Sequence, residues 1–175
     1  EAARQVDIFG GDAHALAAWL SATEGYRPLR EYLAESMARY GIQHGADNIL
    51  ITTGSQQALD LVGKIFIDTD APVITERPTY LGAIQAWQAY EARFLTVLLD
   101  DDGMIVDELP ELLKKETPRF IYVLPNFHNP AGTTLSEERR LRLVELAREH
   151  DLIIVEDDPY GALRFEGEDI IPIAA

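Results

Sequence analysis

The chain has 175 residues, 47% hydrophobic and 26% charged, a balance that fits a globular protein with a sizeable core and excludes a disordered chain. Its 15 basic against 30 acidic residues leave a formal charge of -15, which argues against nucleic acid as a partner because phosphate binding needs clustered Lys and Arg. No cysteine is present to build a disulfide framework, and no apolar run is long enough for a membrane span or a secretory signal, so the expected location is cytoplasmic.

Residues 1–21 are weakly patterned and read as an N-terminal remnant, a short helix and a turn at Gly10-Gly11. From Tyr26 onward Leu29, Tyr32, Leu33, Ser36, Met37 and Tyr40 fall on one helical stripe, and Gly41 supplies a stop. The apolar run 49–53 predicts a strand and 55–67 a helix. The pattern then repeats as strand 73–76, helix 80–90, strand 93–98, helix 106–115, strand 119–124, helix 136–150 and strand 152–156. Strands alternating with helices of this length imply right-handed crossovers and an α/β fold with a largely parallel sheet. Ser136 followed by Glu137 and Glu138 opens its helix with a hydroxyl cap and early acids. No repeat, linker or low-complexity stretch interrupts 22–175, which reads as one domain.

The last strand is the most informative. Leu152-Ile153-Ile154-Val155 is a continuous apolar run, expected to be buried on both faces, and it ends in Glu156-Asp157-Asp158-Pro159-Tyr160. Open α/β sheets bind ligands at the carboxyl ends of their strands, and carboxylates there need a partner or water. One of the two aspartates is therefore expected to face a cation, against the plainer reading of a solvated, capped loop. The run before Thr53-Gly54-Ser55-Gln56-Gln57 places a glycine, a hydroxyl and free N–H groups at a helix N-terminus, which suits a phosphate or serves simply as a capped turn. Asn129-Pro130-Ala131-Gly132 is either ordinary turn punctuation or the support of an amide donor at Asn129. Tyr80 either starts an apolar stripe or stacks on a flat ligand. The four histidines show no ligand spacing near the acids, so no metal is expected.

In this order, GYRPLR at Gly25, TTGSQQALDLV at Thr52, RPTYLGAIQAW at Arg77, LPNFHNPAGTTLS at Leu124 and VEDDPYGALRF at Val155 resemble the fold-type-I, pyridoxal-phosphate-dependent aminotransferases. The likeness is to the branch with 2-aminoadipate and aromatic aminotransferases, with the effector domain of MocR regulators nearby. It implies a three-layer αβα large domain, incomplete in this chain, with pyridoxal 5'-phosphate as cofactor. It also implies roles: Asp157 for the pyridine nitrogen, Asn129 and Tyr160 for the ring's phenolic oxygen, Tyr80 stacked on the ring, and Gly54, Ser55 and Gln56 around the phosphate. Tyr26 resembles a tyrosine that reaches the neighbouring subunit's cofactor, which implies a homodimer.

The family's Schiff-base lysine has no counterpart here. The only lysines are Lys64, Lys114 and Lys115, all in predicted crossover helices. The chain is therefore expected to be part of the large domain, without a small domain or lysine-bearing segment and inactive by itself. The complete protein is expected to exchange amino groups between an amino acid and a 2-oxo acid. The alternatives are a MocR-type effector domain and a non-catalytic half-length scaffold.

Overall fold

The computed structural model describes residues 23–175, which fall into two units, a first that ends at Thr52 and a second, Thr53–Ala175. The helix remnant and Gly10-Gly11 turn expected in 1–21 lie outside the described residues. In the first unit α1 (Arg27–Ala38) starts with Pro28 in its first turn, where a missing N–H costs nothing, and the Tyr26 carbonyl accepts from Leu29 and Arg30. Its buried residue is Arg30, which donates to the Ala46 carbonyl at 3.0 Å. The stripe of Leu29, Tyr32, Met37 and Tyr40 stays exposed.

The strand expected at 49–53 does not form. Ile49 is extended and the Ile51 N–H donates to the Glu24 carbonyl, but the segment joins no sheet among the described residues. An apolar run satisfies the composition of a strand, whereas a strand also needs a neighbour for its backbone groups.

The second unit carries the sheet. Helix α2 (Ser55–Phe66) leads to β1 (Pro72–Arg77), and α3 (Leu81–Gln88) to β2 (Arg93–Asp100). A two-residue β3 (Gly103–Met104) folds back antiparallel on β2. After a 3-10 turn come α4 (Leu109–Leu113), β4 (Phe120–Val123), α5 (Glu137–Glu149) and β5 (Ile153–Glu156). The strand order is β3-β2-β1-β4-β5, with β2, β1, β4 and β5 all parallel. The helix expected over 106–115 splits into the 3-10 turn Val106–Glu108 and the short α4, with Pro110 in its first turn.

Alternation along β4 explains the three layers, because successive side chains point to opposite faces. Phe120 and Tyr122 join Val73 beneath α2 and α3, packing with Leu59, Ala83 and Trp87. Ile121 and Val123 enter the other core with Ile74, Val97, Leu109, Leu143 and Leu146. Every residue of β4 is buried. Trp87 is fully buried, stands edge-on to Phe120 at 5.0 Å and to Tyr122 at 4.9 Å, and donates its indole N–H to the Leu59 carbonyl at 2.9 Å. Each such burial contributes roughly 1.5–3 kcal/mol.

β5 departs from expectation. It is the edge of the described sheet, and Ile153 remains 42% exposed. Its apolar run matches a strand buried on both faces, but only β4 lies beside it.

Candidate functional site

In a parallel sheet all strands end on one side, so the loops after β1, β4 and β5 and the start of α2 share one edge. Gly54 stands before α2 with φ +143, a conformation that suits glycine. The Gln57 side-chain oxygen accepts from both the Thr53 N–H at 2.7 Å and the Thr53 hydroxyl at 3.0 Å. The N–H groups of Ser55 and Gln56 find no acceptor among the described residues, which leaves the helix N-terminus open to an anion. The Gln56 side chain is otherwise engaged, donating to the Gly82 carbonyl at 3.1 Å.

That bond ties α2 to α3, which begins directly after Tyr80. The Tyr80 ring lies against the first turn of α3, where a Cβ on Gly82 would stand 2.5 Å from a ring carbon. Any larger residue at 82 would force the ring aside.

The two aspartates separate cleanly. Asp158 has both oxygens occupied, Oδ2 by the Asn126 amide at 2.9 Å and Oδ1 by the Gly161 N–H at 2.8 Å. It shapes the turn that carries Tyr160. Asp157 accepts from the Tyr122 hydroxyl on Oδ2 at 2.7 Å, while its N–H donates to the Val123 carbonyl at 2.9 Å. Its Oδ1 accepts nothing among the described residues, and the side chain is half-buried. Burial first, then the charge and hydrogen bond of Asp157, push the Tyr122 phenol far above its ordinary range, so it remains a donor.

The loop after β4 is held from below. Arg140 of α5, 3% exposed, donates to the carbonyls of Leu135, Pro125 and Ile171 and to the Asn126 side-chain oxygen, each within 3.0 Å. His128 is also buried, with Nδ1 accepting from the Ala131 N–H and Nε2 lying 3.2 Å from Glu76 Oε2, off line for a hydrogen bond. Burial pushes the Glu76 carboxyl above its usual range, against the opposing pull of His128 and of the Leu124 N–H that it accepts. Asn129 sits half-buried at the crest of this loop, with its amide unbonded among the described residues.

The structure thus brings Ser55, Gln56, Tyr80, Asn129, Asp157 and Tyr160 to one edge of the second unit. Tyr26 belongs to the first unit, where it caps α1. Sequence reasoning missed Tyr122, Asn126, Arg140, Glu76 and His128. No group of three His, Asp or Glu is placed to hold a metal among the described residues, and no helix there is long and apolar enough to cross a membrane.

A helix end with unpaired N–H groups, a ring above a glycine and a carboxylate with one open oxygen give this α/β protein a candidate ligand site at its strand ends. Comparison with known proteins gives that class a family. Residues 13–175 match aminotransferase class I and II, and the chain belongs to that family. It is 49% identical over 159 residues to aromatic-amino-acid aminotransferase 1 of Thermococcus litoralis, covering 87% of this chain and 38% of that one. It is also 49% identical over 152 residues to the 2-aminoadipate transaminase of Thermus thermophilus, covering 87% of this chain and 37% of the relative. A crystal structure of α-aminoadipate aminotransferase from Thermus thermophilus, complexed with N-(5'-phosphopyridoxyl)-L-leucine, superposes with a TM-score of 0.81 at 46% identity, over 88% of this chain and 38% of that one. The chain therefore spans less than two-fifths of the length of these relatives.

Proposed function

We propose that the full-length protein bearing this chain is a pyridoxal-phosphate-dependent aminotransferase, transferring an amino group between an amino acid and a 2-oxo acid. These residues form part of its large domain, as 22–175 with the remnant 1–21 before it. The observation that carries the reading is the Asp157 carboxylate, with Oδ2 engaged by Tyr122 and Oδ1 open, on the sheet edge where α2 presents its unpaired N–H groups.

The donor set fits the cofactor. The Ser55 hydroxyl and the N–H groups of Ser55 and Gln56, reached past Gly54, would hold the phosphate at a positive helix end. Asp157 would hold a protonated pyridine nitrogen, the Asn129 amide and Tyr160 hydroxyl would donate to the phenolic oxygen, and Tyr80 would cover the ring face. When bound, the cofactor supplies an electron sink for the pair released at the substrate's α-carbon. The chain's own residues bind and orient it. Lys64 lies in the last turn of α2, and Lys114 and Lys115 lie between α4 and β4, where strands begin rather than end. The Schiff-base lysine is therefore assigned to the remainder of the full-length protein.

The same reading assigns Tyr26 to a partner subunit's cofactor in a homodimer and places the protein in the cytoplasm. Pyridoxal phosphate titration of the full-length protein, followed by visible absorbance, tests it. Asp157→Ala is expected to weaken binding about a hundred-fold, as a lost charge-assisted hydrogen bond does. Unchanged affinity would sink the reading. Cofactor binding without product formation over a panel of amino acids and 2-oxo acids would favour the regulatory effector domain.

A further inference from the structure

We infer that Tyr122 is a positioning residue that reserves one oxygen of Asp157 for the ring nitrogen of the cofactor, a step that rests on the proposed role of Asp157.

Tyr122 interrupts an otherwise apolar strand, and its side chain is 0% exposed, so its hydroxyl cannot reach bulk water. A buried phenol must find an acceptor. Here it finds Asp157 Oδ2, one strand away, at 2.7 Å. The ring itself is clamped, standing at 88° to Trp87 with centroids 4.9 Å apart. The donor therefore has almost no freedom to follow a moving carboxylate. The backbone of Asp157 is fixed as well, through its N–H to Val123.

Two anchors on a half-buried residue restrict its side chain, with Oδ2 held by the Tyr122 hydroxyl and Oδ1 left without a donor among the described residues. Asp158 supplies the contrast within the same loop. Its two oxygens are both consumed by protein donors, so it shapes the chain and has none left for a ligand. The fully buried phenol keeps its proton and cannot reverse the polarity of the bond. The orientation is thus set before any ligand arrives, and binding need not order Asp157.

A double-mutant cycle on the full-length protein separates positioning from packing. Tyr122→Phe keeps the ring on Trp87 and removes only the hydroxyl. It is expected to raise the dissociation constant of pyridoxal phosphate about ten-fold in the wild-type background and to change nothing in an Asp157→Ala background. An equal loss in both backgrounds, or none in the wild type, overturns the inference. Asp157→Ala without effect would instead remove the reading beneath it. Thermal melting of cofactor-free Tyr122→Phe checks the fold. Asp157→Glu provides a second arm, because it keeps the charge but shifts the carboxylate away from Tyr122. A loss of at least ten-fold supports positioning, and near-wild-type affinity contradicts it.

Discussion

β4 and β5 are paired from Phe120 with Ile153 to Val123 with Glu156, yet they live in different surroundings. β4 is buried throughout, while β5 forms the edge and leaves Ile153 exposed. Both end in polar loops on the same side of the sheet. The loop after β4 is fixed from within, by Arg140 and by the buried His128 and Glu76. The loop after β5 is fixed sideways, because Tyr122 holds Asp157 and Asn126 holds Asp158. The acid that follows the edge strand is thus held by the buried neighbour, and order at the loop is inherited across the sheet.

The sharpest way to break this comparison is to remove the same atoms from each strand. Ile121→Ala, at 0% exposure, is expected to cost about 2–5 kcal/mol in urea unfolding, whereas Ile153→Ala costs under about 1 kcal/mol. Equal losses would mean that β5 is as buried as β4. Next comes Arg140→Met, which keeps much of the volume but strips the donors from four acceptors and should lower stability by about 2–3 kcal/mol in the same assay. The smallest effect concerns pH. Glu76 has a folded-state value raised above 4.5, so the folded protein binds its proton more tightly than the unfolded chain does. Its contribution to stability is therefore complete below pH 4.5 and fades as pH rises through the folded value. In Glu76→Gln that decline should disappear, so the variant's melting temperature gains on the wild type over the range above pH 4.5. A constant difference across that range would show that Glu76 does not titrate there.

Much of this was legible in the sequence because local chemistry decided it. Strands β4 and β5 appear as apolar runs, and Ser136 accepts from the Arg139 N–H at the start of α5 as its position suggests. The rest depends on neighbours. The apolar run at 49–53 has strand composition, but pairing is a property of two segments, and none lies beside it among the described residues. Two residues in β3 are too few for any periodicity. Tyr122 was hidden inside an apolar run, although a tyrosine in a buried strand announces a hydroxyl in search of an acceptor. Arg140 carried a signal as well. It lies on the same face of its helix as Leu143 and Ala147, where a charge belongs only if the core supplies acceptors.

The riveting of α2 to α3 has a mechanical corollary. The Gln56 amide reaches Gly82, and the Trp87 indole reaches Leu59, so the first two turns of α2 are joined to α3 near both ends of the shorter helix. Such a pair behaves as one slab. The Ser55 end of α2 and the Tyr80 end of α3 are therefore held at a fixed spacing, which a change at Trp87 would alter.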